Sequence, residues 1–200
     1  MTVTLANSSK EDYRKRSPVD FYPTPEDVTH ALMRFLNLPF GTGIWEPAAG
    51  EGHMLEAIAK WGHGILAIGT DLYGDNPLDF FSTHEVPLDA DWIITNPPFG
   101  KAELFIRHAL HLKPRGGVAM LVKSQFWHAK RRHQLFLDCH PDYVCPLTWR
   151  PDFLFGAKSG SPTMEVVWSI WKSPYATSRT IYEPLTRRLE QLHRTVEFIT

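Results

Sequence analysis

Disulfides, metal-binding clusters, membrane spans and an excess charge are all missing from this chain, and each gap closes off a class of function. Cysteine is scarce: Cys139 and Cys145 are the two in 200 residues, too few for a disulfide framework. Histidine is plentiful, and His128, His133 and His140 fall near both cysteines. No pair, however, has the C-x2–4-C or H-E-x-x-H spacing of a zinc site, so no metal is expected. Lys and Arg number 21 against 22 Asp and Glu, leaving a formal net charge of −1. No global field therefore draws the chain to nucleic acid, and any phosphate contact has to come from local patches. No apolar run approaches the length of a membrane span. Met1–Asn7 has no basic leader followed by a long apolar segment, so a cytoplasmic chain is expected rather than a secreted one. The Gly-Lys-Ser/Thr end of a P-loop is absent, which speaks against ATP or GTP hydrolysis. No internal repeat is visible. What remains, 43% hydrophobic and 22% charged, is the composition of one folded domain with a sizeable core.

Strand and helix signals alternate along that domain. Val28, Ala31, Leu32 and Phe35 recur at helical spacing and predict a helix from Glu26 to Leu36. Short apolar runs predict strands near 43–46, 66–71, 91–96 and 118–122. Helices are expected at about His53–Trp61 and Ala102–Leu112, the latter stopped by Lys113-Pro114-Arg115-Gly116-Gly117. Strand alternating with helix is the pattern of an α/β fold, a parallel sheet with helices on both faces. Two later apolar runs, 143–148 and 164–171, are expected to close it as an antiparallel hairpin. The first 20 residues are polar and read as a loose tail. Residues 173–200 read as an extension with one amphipathic helix over 182–198, carried by Leu185, Leu189, Leu192 and Val196. That helix would cover the sheet or form a dimer contact, so a monomer and a homodimer both stay open.

The chemistry is concentrated at predicted strand ends. Asn96-Pro97-Pro98-Phe99 follows the apolar run Trp92–Thr95. The Asn96 amide oxygen can accept a hydrogen bond from an amine. Pro97 and Pro98 stiffen the turn and remove two N–H groups, which leaves a carbonyl free to accept a second bond. Phe99 offers a flat face for a planar ring. Such a cradle suits an exocyclic amine such as adenine N6, whose lone pair is delocalised into its ring. Two acceptors favour a tetrahedral nitrogen and free that lone pair for attack on a methyl donor, a stabilisation aimed at the transition state. The plain alternative is a β-to-loop turn that holds two prolines.

Gly43–Gly52 runs from an apolar strand through Glu46, Ala48, Gly50 and Gly52 into a helix. Small residues there let backbone approach a ligand closely, although the spacing is not the dinucleotide fingerprint. Glu46 reads as a ligand contact, or else as charge complementing a helix N-terminus. Asp71 ends the next apolar run, at about the offset of the acidic residue that holds ribose hydroxyls in nucleotide-binding units. Asp79 with Phe80 and Phe81 could bind and cover an adenine ring; two core phenylalanines beside a solvated aspartate is the alternative. Lys123–His133 mixes aromatics with Lys123, Lys130, Arg131 and Arg132 on the rim that carries Asn96. It could grip phosphates and stack a base, or it could be the solvated start of a helix with Phe126 and Trp127 in the core. A glycine- and serine-rich loop over 155–162, with Lys158, lies between the last two predicted strands and could close on substrate.

Taken in order, Phe21-Tyr22-Pro23-Thr24-Pro25, the Glu46–Gly52 turn, Asp71, Asp79 and Asn96–Phe99 resemble the class I S-adenosylmethionine-dependent DNA adenine-N6 methyltransferases, and more narrowly their compact phage- and prophage-type members. The resemblance covers about residues 18–172, with a methyltransferase domain over 21–172. It implies a Rossmann-like, mostly parallel seven-stranded sheet and S-adenosylmethionine as the methyl donor. It implies that Tyr22, Thr24 and Pro25 contact the methionine part of that cofactor, that Glu46, Ala48, Gly50 and Gly52 form its turn, and that Asp71 holds its ribose. Asp79 and Phe80 would hold its adenine, and Asn96, Pro97 and Phe99 the target base. DNA is the implied partner, in a bacterial or phage-infected cell. RNA adenine or a protein glutamine would also fit the Asn96 cradle, and a non-catalytic nucleotide-binding module is the third reading. With only about 30 residues left for sequence recognition, a short or relaxed sequence preference is expected.

Overall fold

The computed structural model describes residues 22–73, 77–87, 89–153, 164–175 and 179–187. Its first element is α1 (Glu26–Leu36), whose opening turn carries Glu26 and Asp27 and whose last turn carries Arg34, charges that complement the helix dipole. Pro25 stands before it, and the Pro25 carbonyl accepts the N–H groups of Val28 and Thr29. Then follow β1 (Gly43–Glu46), α2 (His53–Trp61), β2 (Leu66–Gly69), β3 (Trp92–Thr95), α3 (Ala102–Leu112), β4 (Gly117–Lys123), α4 (His133–Cys139), β5 (Tyr143–Pro146), β6 (Val166–Lys172) and β7 (Ile181–Tyr182).

The strands form one seven-stranded sheet in the order β2-β1-β3-β4-β6-β5-β7. β2, β1, β3 and β4 run parallel. β6 lies antiparallel between β4 and β5. This is the expected α/β architecture, with the expected hairpin partners adjacent.

Strand side chains alternate between two apolar layers. Ile44, Ile94, Ala119 and Leu121 face one layer with Val28 and Leu32 of α1 and Ile58 of α2. Trp45, Ile93, Val118 and Met120 face the other with Phe105 and Ile106 of α3 and Leu135 of α4. A strand covered on both faces must be apolar at every position, which is why Trp92–Ile94 and Gly117–Val122 read as unbroken runs.

The seventh strand falls where the sequence predicts a helix. Ile181 and Tyr182 pair in parallel with Tyr143 and Val144 of β5, and Leu185 bridges to Leu147. Pro184 supplies the reason, since a residue preceding proline is driven out of the helical region and toward extended backbone. The buried Leu185 therefore anchors a sheet edge and not a helix face. The remainder of the predicted helix, from 188 onward, lies outside the described residues, as do the 1–20 tail, Phe21 and the 155–162 loop with Lys158.

Candidate active site

The parallel strands present their carboxyl ends on one rim, where ligands bind in open α/β sheets. Glu46 closes β1, Asp71 follows β2, Asn96 follows β3 and Lys123 closes β4. A cleft opens there, lined by the Tyr22–Thr24 segment, by Glu46 and the turn after it, and by Asn96–Phe99. Of the residues singled out in the sequence, Tyr22, Thr24, Glu46, Ala48, Gly50, Asn96, Pro97 and Phe99 line this cleft together. Glu51 and His53 also line it, although sequence reasoning does not single them out. Their one signal is position, between Gly50 and the first turn of α2.

The glycine turn is held from behind by Asp71. One carboxylate oxygen accepts the Gly50 N–H at 2.9 Å and the other accepts the Tyr73 N–H at 3.0 Å. Gly50 and Gly52 take φ of 57° and 84°, values that only glycine adopts without strain. Asp71 is 4% exposed and does not line the cleft. Glu46 does line it and is 2% exposed. Burial, and secondarily the Asp71 carboxylate, push its carboxyl well above the usual range. Its Oε2 has no hydrogen-bond partner among the described residues. A buried carboxyl short of a partner is costly, and a cation entering the cleft would restore its ionised form.

Asn96 shows the complementary arrangement. Its Nδ2 donates to the Tyr22 carbonyl at 3.0 Å and to Thr24 Oγ1 at 3.1 Å. The Tyr22 carbonyl can only accept, so it selects which end of the amide faces it. Both amide hydrogens are thereby used, and Oδ1 is left buried without a partner among the described residues. Beside it the Phe99 ring lies 5.4 Å from Tyr22, inclined by 37°. Lys123 Nζ stands 4.8 Å from the Phe99 centroid.

The remaining candidates lie outside this cleft lining. Phe80 is 2% exposed and stacks on Phe105 at 4.9 Å and edge-on to Trp45 at 5.3 Å. It packs within the apolar layer of α3. Asp79 is exposed, and its side chain accepts the Phe81 N–H at 3.0 Å, capping a short turn; neither residue lines the cleft. Pro25 does not line the cleft either and stands at the start of α1. Gly52 shapes the turn from a buried position. In the basic stretch, Phe126 is core and the Trp127 indole donates to Ser169 Oγ at 2.9 Å. Arg132 turns inward: one guanidinium N–H donates to the Phe126 carbonyl at 2.7 Å, and its carbon lies 3.9 Å over the Phe126 ring. Arg132 therefore braces its own loop, whereas Lys123, Lys130 and Arg131 stay exposed. Among the described residues no cluster of His, Cys, Asp or Glu could hold a metal ion, and no helix is long and apolar enough to cross a membrane.

No protein-family model matches the chain, and no curated protein matches its sequence. Solved structures do match its fold. A Listeria monocytogenes protein named as a class I S-adenosylmethionine-dependent methyltransferase superposes with a TM-score of 0.55 at 16% identity, over 81% of this chain and 65% of that one. A Vibrio vulnificus protein named as a modification subunit of a type I restriction enzyme gives 0.56 at 12% identity, over 84% of this chain and 48% of that one. A Lactococcus lactis protein named as a hemolysin gives 0.54 at 11%, over 82% and 93%. This chain thus spans about two thirds of the first relative's length and about half of the second's. The fold is that of the Rossmann-like methyltransferases.

Proposed function

We propose that this protein transfers a methyl group from S-adenosylmethionine to the N6 amino group of adenine in DNA. The observation that carries the reading is the Asn96 amide. Two acceptors, the Tyr22 carbonyl and Thr24 Oγ1, hold its nitrogen, and its oxygen is buried and unpartnered among the described residues. A site built to accept a hydrogen bond from a substrate amine leaves such an atom waiting.

The residues fit the donor. Glu46, with its unpartnered buried oxygen, would take the ammonium group of the amino-acid portion, and Ala48 and Gly50 would let backbone lie against the rest. When bound, S-adenosylmethionine supplies an electrophilic methyl group on a sulfonium sulfur. Asn96 Oδ1 accepts one N6 hydrogen, and a carbonyl of the Pro97-Pro98 turn accepts the other. The nitrogen lone pair, released from the ring by these two acceptors, would attack that methyl group, the S–C bond breaking as the N–C bond forms. The proton leaves the cationic nitrogen afterwards, to water, so no strong base is needed. Phe99 stacks on the purine, which reaches the cleft by flipping out of the duplex. Lys123, beside Phe99, and the exposed Lys130 and Arg131 would meet phosphates. The DNA reading draws support from the relative named as a restriction-enzyme modification subunit.

The test is transfer of labelled methyl to unmethylated duplex DNA, with mass analysis of the nucleosides, beside Asn96→Ala. N6-methyladenine that disappears in the variant is the expected result. Labelling of RNA or protein alone would redirect the substrate, and cofactor binding with no acceptor labelled would leave a binding module.

A further inference from the structure

We infer that Thr24 is a positioning residue for Asn96, an inference that rests on the methyl-transfer reading above. The Tyr22–Pro25 segment is built as a strut. Tyr22 and Thr24 each precede a proline, which disfavours helical backbone at both, and Pro25 itself is extended, with φ −60° and ψ 145°. Pro23 and Pro25 have no N–H, so the segment cannot enter a sheet ladder through them. The Pro25 carbonyl fastens its far end to α1 by accepting the Val28 and Thr29 N–H groups at 3.1 and 3.4 Å. What the strut offers to the cleft is a carbonyl oxygen at Tyr22 and a hydroxyl at Thr24, and both are used on the nitrogen of Asn96. Thr24 is 5% exposed, and its oxygen accepts the Asn96 N–H at 3.1 Å.

An asparagine amide has two orientations of nearly equal shape, and just one of them presents an acceptor to the substrate. The Tyr22 carbonyl disfavours the wrong one, because two acceptors would face each other. A single bond still lets the amide plane rock about χ2. The second bond, donated to Thr24 Oγ1, fixes the plane and so the direction of the Oδ1 lone pairs. Small misplacement of a reacting group costs rate far more than it costs binding, so Thr24 governs the chemical step.

Thr24→Val keeps the shape and removes the acceptor; Thr24→Ser keeps the acceptor. Three readouts apply to the intact chain: kcat for DNA methylation, Kd for S-adenosylmethionine by titration calorimetry, and the Asn96 side-chain amide protons by NMR without ligand. For Thr24→Val the expected result is a kcat roughly 10- to 100-fold lower, a cofactor Kd within about threefold, and faster-exchanging, upfield-shifted Asn96 amide protons. Thr24→Ser should restore all of these. A cofactor Kd raised tenfold or more at unchanged kcat would overturn the inference in favour of a cofactor contact. Unchanged Asn96 amide protons would overturn it as well. Should the wild-type chain methylate no adenine, the substrate reading fails, and the amide signal and cofactor Kd still decide the role of Thr24.

Discussion

Asp71→Asn tests whether a buried carboxylate behind the cleft keeps the glycine turn in shape. The wild-type carboxylate receives the Gly50 and Tyr73 N–H groups, one on each oxygen. An asparagine retains one acceptor and puts an NH2 where the other stood, so a donor there faces a donor. A hydrogen bond to a charged group contributes about 1.5–3 kcal/mol, and a buried N–H left without an acceptor costs about 1–3 kcal/mol. One bond lost and one donor stranded sum to about 2.5–6 kcal/mol. Against this, removing the Asp71 charge relieves Glu46, whose carboxyl it helps to push up, so the lower half of the range is expected. For a chain of this size each kcal/mol moves Tm by about 2–4 °C, so the lower half of the range, about 2.5–4 kcal/mol, gives a fall of about 5–16 °C. Urea denaturation at matched m-values measures the free energy. Calorimetric titration should show weaker S-adenosylmethionine binding, because Gly50 lines the cleft. A variant that loses less than about 1 kcal/mol and binds cofactor as the wild type does would refute the idea that Asp71 holds the turn.

Glu46 gives a pH prediction. Burial raises its folded-state pKa, so above the ordinary carboxyl range the folded state keeps a proton that the unfolded chain has released, and stability falls as pH rises toward the raised value. Glu46→Gln should remove that fall, matching the wild type near pH 4 and exceeding it near pH 8 in thermal melts, while weakening cofactor binding. If an ammonium group pairs with Glu46, cofactor binding to the wild type releases a proton, and its calorimetric enthalpy then varies with the ionisation enthalpy of the buffer; an enthalpy that ignores the buffer removes this role. In the basic stretch, Arg132→Ala should cost about 1–3 kcal/mol of stability and leave the salt dependence of DNA binding nearly intact. Lys130→Ala with Arg131→Ala should lower the salt slope by about 1 for each phosphate no longer neutralised, with little effect on Tm. The reverse pattern would return Arg132 to the DNA surface.

The elements legible in the sequence are those whose signals are local. The helix at Glu26–Leu36 is readable from its apolar spacing, and Ala102–Leu112 from the Lys113-Pro114 stop, and both end where those signals place them. The placement of Glu46, Asp71 and Asn96 at strand ends is readable because each follows a short apolar run. Phe80 is not, since a buried phenylalanine and a ligand-stacking one look alike until Phe105 and Trp45 are seen against it. Arg132 misleads for a related reason. Its charge suggests a phosphate, but its partner is a carbonyl six residues back on the same loop. At Tyr182 the leucine spacing suggests a helix although Pro184 is present to contradict it.

Apolar period, prolines and glycines along the chain are enough to specify an alternating α/β sheet and to put an amide acceptor, a proline turn and an aromatic ring beside one another at Asn96–Phe99. They act between neighbours, and short-range sterics and burial decide them. Which way the Asn96 amide points is left to the folded chain, because its two acceptors lie 74 and 72 residues away in sequence. The burial that shifts Glu46 likewise exists once β1 is enclosed between its neighbours. Hydrogen-bond orientation and desolvation belong to the assembled environment, and no run of adjacent residues encodes them.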